Sequence, residues 1–202
     1  MTDRVELYGE GAYLIHCDGA ETLGLLRAID QQVAGVEEAH GGEASILVQF
    51  DPRNPEGANL RQQLRGLQPL PIEAAAHPVT LPAYYDGEDL GVVAKASDLS
   101  VAEVIELHSS ATYRVAFCGF MPGFAYLTGL PAQLQLPRRP TPRTRVPAGS
   151  IAIAAHYCAV YPVESPGGWH LLGRTLEALF DVEASPPALL APGTQVRFEV
   201  QP

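Results

Sequence analysis

Apolar positions alternate with polar ones in short runs along most of this chain, and only a few stretches repeat at helical spacing. Residues 5–8 and 12–17 are strand candidates separated by Gly9-Glu10-Gly11. Residues 21–34 place Leu23, Leu26, Ile29 and Val33 at helical spacing, with Gly24 weakening the first turn. Residues 36–40 and 45–50 predict a hairpin around Gly41-Gly42. Asn54-Pro55 offers a capping residue followed by a proline whose missing N–H costs nothing. That predicts a helix running to about Leu67. Strand and helix runs alternate here in a ferredoxin-like pattern, so residues 1–76 read as a small α+β domain.

The stretch Gln-Pro-Leu-Pro at 68–71, then Ile72-Glu73 and three alanines, marks a boundary. Residues 77–85 read as a strand, with Pro78 and Pro82 favouring an edge. Ser100 and Glu103 form a capping box, opening a helix whose Val101, Val104, Ile105 and His108 share a face. Beyond about Thr112 the chain predicts only short β runs, at 113–117, 150–155, 158–161, 169–173, 176–180 and 195–200. Many short strands punctuated by Pro and Gly point to a barrel or a sandwich over residues 77–202. Three Pro-Gly pairs, at 122–123, 166–167 and 192–193, have the composition of type II turns.

Composition adds limits. The chain has 202 residues, 47% of them hydrophobic, enough for one or two real cores. No apolar run is long enough to span a membrane. The start Met-Thr-Asp-Arg-Val-Glu lacks the basic and apolar regions of a secretory signal, so a cytoplasmic location is expected. Cys17, Cys118 and Cys158 form no C-x-x-C pair, so neither a disulfide framework nor a metal site is expected. Net charge is −10, but residues 107–175 hold six arginines and one acid, a local +5 inside a remainder of −15. An acidic body disfavours nucleic acid and anionic membranes. The arginines either bind a small anion such as a carboxylate or phosphate, or pair with acids of the other segments.

Three stretches carry candidate chemistry. Residues 117–127 interleave Phe117, Phe120, Phe124 and Tyr126 with small residues and the Pro122-Gly123 turn. They read either as a pocket wall or as a kinked strand end. Residues 137–150 hold Arg138, Arg139, Arg143 and Arg145 among stiffening prolines. Arg143 and Arg145 share a face on an extended backbone, and Ser150 opens a strand. Residues 165–175 place Trp169, the only tryptophan, after Gly167-Gly168 and before Arg174. Its ring either stacks on a ligand or plugs the core. Cys158 beside His156 or His170 fits a thiol nucleophile or, more ordinarily, a small core residue. No phosphate-binding glycine loop is present.

Taken together, these motifs are recognisable. The run from Phe120 to Leu127 with Gly129-Leu-Pro131 resembles one family. So do Pro137-Arg-Arg139 with the run from Pro142 to Ser150, and Tyr161-Pro162 with the runs 165–169 and 173–175. The chain resembles the family of the B-type subunit of 5-oxoprolinase, also called allophanate hydrolase subunit 1 or KipI. That resemblance implies a cyclophilin-like β-barrel behind the α+β domain. It also implies a partner subunit of related barrel fold and ATP, with Mg, as cofactor for activating 5-oxoproline toward hydrolysis to glutamate. Two alternatives travel with the family: a KipI-like inhibitor of a sensor histidine kinase, and half of a urea carboxylase-type biotin-dependent carboxyltransferase.

On that reading Arg143, Arg145 and Ser150 are the catalytic candidates, stabilising charge that develops on an activated lactam oxygen. Arg174 would fork a substrate carboxylate. Phe120, Pro122, Gly123, Phe124, Tyr126, Gly167, Gly168 and Trp169 would frame the substrate. No general base stands out, so the partner chain is expected to complete the site.

Overall fold

A computed structural model of the chain describes residues 4–55, 59–72 and 78–202. The fold divides into two compact units, Met1–Glu73 and Ala74–Pro202. In the first, β1 (Val5–Leu7) and β2 (Ala12–His16) precede helix α1 (Thr22–Gln32). Strands β3 (Glu38–Gly41) and β4 (Ser45–Gln49) then form the expected hairpin, followed by α2 (Leu60–Gly66). The sheet order is β1-β2-β4-β3, antiparallel throughout. A ferredoxin-like βαββαβ order would fill the edge beside β2 with a strand following α2. Here the N-terminal β1 occupies that edge.

Val5, Ile15, Leu25, Ile29, Ile46, Val48, Leu60 and Leu64 form the core of this unit. The buried face of α1 is centred on Leu25, Ala28 and Ile29 rather than on Leu23 and Leu26. Gly24 explains the rotation. The Gly24 carbonyl accepts from the Leu70 N–H at 3.0 Å, and a side chain at Gly24 would collide with Pro69 and Leu70. The helix thus presents its glycine to the chain that crosses it. The start expected at Asn54-Pro55 falls partly on 56–58, outside the described residues, as do the alanines at 74–76 and His77 at the head of the next predicted strand.

In the second unit β5 (Val79–Ala83) leads into α3 (Leu90–Ala96) and α4 (Val101–Ser110). The capping box forms as expected: the Glu103 N–H donates to Ser100 Oγ at 3.2 Å, and the Ser100 N–H donates to Glu103 Oε2 at 2.7 Å. The strands that follow are β6 (Tyr113–Cys118), β7 (Ala125–Thr128), β8 (Arg143–Val146), β9 (Ser150–Ala154), β10 (Tyr157–Val160), β11 (Ser165–Gly167), β12 (His170–Arg174) and β13 (Gln195–Val200). Seven of the strands make one sheet in the order β12-β9-β10-β7-β6-β13-β5, while β8 and β11 form a separate ribbon. Tyr84, just past β5, exchanges two 2.8 Å backbone hydrogen bonds with Arg174 on β12. This bridge joins the two edges and leaves a nearly closed barrel.

Three expectations are corrected here. Helix α3 has no counterpart in the sequence pattern; its Leu90, Val93 and Ala94 bury themselves in the barrel core despite two adjacent valines. Residues 176–180 make no strand, because β12 is already flanked by β9 and the Tyr84 bridge. Among them only Phe180 forms a β bridge, to Ala188. Pro166-Gly167 is not a type II turn but part of β11, paired with β8. Gly123 and Gly193 do take positive φ, 80° and 89°.

Strands β9 and β10 are buried on both faces. Ile151, Ile153, Cys158 and Val160 point into the barrel core, whereas Ala152, Ala154, Tyr157 and Ala159 belong to a second cluster with Phe124, Tyr161, Trp169 and Leu171. Alternation along the strands thus sends Ile151, Ile153 and Val160 inward and three alanines outward. The outward alanines leave room for a layer of aromatic rings.

Candidate functional site

That aromatic layer forms a cleft of about 170 Å³. Its lining is Phe120, Phe124, Tyr126, Arg138, Tyr161, Pro166, Gly167, Gly168 and Trp169. Phe124 stands at its centre, edge-on to Tyr126, Tyr161, Trp169 and Phe120 at centroid distances of 5.1–5.9 Å. Such contacts fix ring orientation as well as burying area. Phe124 and Trp169 are buried, while Phe120 is 63% exposed on a backbone with φ of 69°. Gly167 packs its bare Cα against the Tyr161 hydroxyl, where no side chain would fit.

Six of the expected substrate-binding residues therefore converge: Phe120, Phe124, Tyr126, Gly167, Gly168 and Trp169. Pro122 and Gly123 do not line the cleft. Their turn packs against Phe180, Leu179 and Pro162 and shapes the rim from outside.

The arginines are distributed differently from one shared anion site. Arg143 Nη2 donates to Asp89 Oδ1 at 2.8 Å and to Glu88 at 3.1 Å. Arg139 Nη1 donates to the same Asp89 oxygen at 3.0 Å. Arg145 makes a two-pronged surface pair with Glu164, at 3.0 and 2.7 Å. Arg174 pairs with Asp86 at 2.9 Å and lies over the Tyr84 ring. Together with buried Ser150 it lines a second hollow of about 210 Å³, whose rim carries Asp86 and Glu88. Pairing with acids from outside the arginine-rich segment thus accounts for Arg139, Arg143 and Arg174.

Arg138 is the exception. It lines the cleft, and no hydrogen bond or ion pair engages its guanidinium among the described residues. Burial raises the phenol pKa values of Tyr126 and Tyr161, and the charge of Arg138 opposes that rise at both. The cleft therefore joins an apolar wall, two phenolic hydroxyls and one uncompensated cation. Tyr161 and Arg138 belong to recognisable sequence motifs, but nothing in the sequence singles out Arg138 from its neighbours.

Asp89 is the residue that sequence reasoning missed. Its side chain is 8% exposed. Burial alone would raise its pKa. The hydrogen bonds from Arg143 and the Leu171 N–H, with the charges of Arg143 and Arg139, outweigh burial and hold the carboxyl below its ordinary value.

Cys158 does not meet His156 or His170. Its partner is His108 on α4, whose Nε2 lies 3.3 Å from the sulfur and whose Nδ1 lies 2.7 Å from the Tyr85 hydroxyl. All three face the barrel core, and burial pushes the thiol pKa up, away from the reactive thiolate. His170 instead meets the Pro137 carbonyl at 2.9 Å.

Comparison with known proteins adds the following. The family model for the carboxyltransferase domain, subdomain C and D, matches residues 4–190. The B-type subunit of 5-oxoprolinase from Escherichia coli O157:H7 is 40% identical over 98% of this chain and 96% of its own length. Its counterpart from Haemophilus influenzae is 46% identical over 61% of this chain and 59% of its own length. Among solved structures, TTHA0988 superposes with a TM-score of 0.83 at 36% identity, over 95% of this chain. The chain spans only 40% of TTHA0988. Urea carboxylase of Kluyveromyces lactis shares the fold, with a TM-score of 0.68 at 20% identity over 98% of this chain and 22% of its own.

Proposed function

The chain belongs to the family of the B-type 5-oxoprolinase subunit, and on that premise we propose that it is a subunit of a 5-oxoprolinase whose small anionic lactam sits in the aromatic cleft. The observation that carries this reading is Arg138, the cation at a cleft otherwise walled by Phe120, Phe124, Tyr126, Tyr161 and Trp169. Arg138 would pair with the substrate carboxylate. The Tyr126 and Tyr161 hydroxyls would hydrogen-bond the lactam. The rings would pack against the apolar edge of the guest.

Mg·ATP does not fit this cleft. Its lining holds no carboxylate that could ligate Mg beside the phosphates. Asp86 and Glu88 line the second hollow instead, and these two, Asp89 and Glu164 are each engaged by an arginine. On this reading the residues that hold ATP belong to the partner subunits of the complex, and this chain's part is to bind and orient the lactam. The partner is a second subunit, of related barrel fold, that completes the site with the missing base.

The test is to reconstitute the chain with the other subunits of its complex and follow 5-oxoproline-dependent ATP hydrolysis. Arg138→Ala is expected to raise the KM for 5-oxoproline by roughly tenfold or more, the scale of one charge-assisted hydrogen bond. Wild-type KM in that variant removes the cleft as the substrate site.

A further inference from the structure

We propose that Asp89 is the positioning residue of the cleft: its single carboxylate holds the 167–171 wall and the Arg138 loop in register. The inference rests on the reading of the cleft as the 5-oxoproline site, and its geometry is direct. Asp89 Oδ2 accepts from the Leu171 N–H at 2.8 Å, while Asp89's own N–H donates to the Leu171 carbonyl at 3.1 Å. Asp89 Oδ1 binds Arg139, whose backbone N–H in turn donates to the Gly168 carbonyl at 2.8 Å. The same oxygen binds Arg143, whose backbone is registered against Gly167 on the β8–β11 ribbon.

Three ties from one side chain thus land at Gly167, Gly168 and Leu171, on both sides of Trp169. The Arg139 tie also fixes the residue next to Arg138. Asp89 touches no part of the cleft itself, so it acts through these neighbours. A buried carboxylate with two guanidinium partners and a backbone N–H leaves little freedom to any of them. Arg143 Nη1 is buried without a partner. Its place is therefore set by the other nitrogens and their acids, not by a full set of its own bonds.

Asp89→Asn keeps the shape and an oxygen for Leu171 but removes the charge that gathers the two arginines. In the reconstituted complex, the KM for 5-oxoproline should rise about tenfold or more, as expected when a positioning contact is lost, with kcat little changed. In the isolated chain, acrylamide should quench Trp169, the sole tryptophan, more readily than in wild type. Arg139→Gln, which removes one tie and leaves the Asp89–Arg143 pair, should move both readouts the same way by less. It carries the test if Asp89→Asn does not fold.

An unchanged KM, a fall in kcat alone, or a raised KM with unaltered Trp169 quenching overturns the proposal. If Arg138→Ala loses affinity while Asp89→Asn behaves as wild type, the cleft stands and the positioning role falls. If Arg138→Ala is itself wild type, the reading of the cleft falls, and the positioning role with it.

Discussion

His108 makes barrel stability depend on pH in a window where ordinary carboxylates are silent. The ring is fully enclosed, between the Tyr85 hydroxyl and the Cys158 sulfur, and packs against Tyr113 and Phe198. Burial in that setting draws its pKa down from 6.5 to about 3. The folded barrel therefore binds no proton at His108 until strongly acid pH, whereas the unfolded chain binds one below 6.5. Because the unfolded state holds the extra proton, the stability due to the neutral ring is complete above 6.5 and is lost as pH falls toward about 3. The slope approaches 1.4 kcal/mol per pH unit, which integrates to about 2 kcal/mol between pH 7.5 and 5. Urea unfolding followed by Trp169 fluorescence reports this unit alone, and can be run at several pH values in wild type and His108→Gln. The variant is less stable overall, because Tyr85 and Cys158 lose a partner, but its stability should fall less steeply over that window, by about 2 kcal/mol. Parallel curves for the two proteins would refute the argument.

Two further outcomes follow from the rim and the surface. Gly123→Ala should destabilise the barrel by roughly 1–2 kcal/mol, the cost of a left-handed backbone for an L-residue, with further strain from Phe180 against the new methyl group. A melting temperature equal to wild type would remove the turn's structural role. Arg145→Ala should leave the melting temperature unchanged, because its pair with Glu164 lies in solvent. A marked drop would show that this ribbon pair is structural.

How much of this was legible in the sequence depends on how local the determinants are. The α4 capping box involves residues three apart and formed as read. The β3–β4 hairpin, punctuated by its glycines, also formed as read. Helix α3 was illegible because what stabilises it is burial of Leu90, Val93 and Ala94 against distant strands. Residues 176–180 look like a strand, but a strand requires an open neighbour, and periodicity is blind to neighbours. The aromatic wall was legible because its rings cluster in the sequence as they do in space. The arginines were not, because their acids, Asp86, Glu88 and Asp89, lie at least fifty residues upstream of Arg139 and Arg143 and eighty-eight upstream of Arg174. Six arginines looked alike as a run of charge, and only their partners separate Arg138 from Arg139.

That separation decides how an anion can be recognised here at all. A chain of net charge −10 exerts no long-range attraction on a carboxylate, and physiological salt screens exposed charges beyond about 8 Å. Recognition must then come from a short-range contact, with the rings packing against the guest while the exposed guanidinium of Arg138 pairs with its carboxylate. If Arg139 and Arg143 were free, they would compete with Arg138 for the guest and blur its orientation. By consuming both, Asp89 leaves one cation facing the rings. The same bonds that neutralise the neighbours hold the wall beside it, so charge selection and geometric order rest on a single carboxylate.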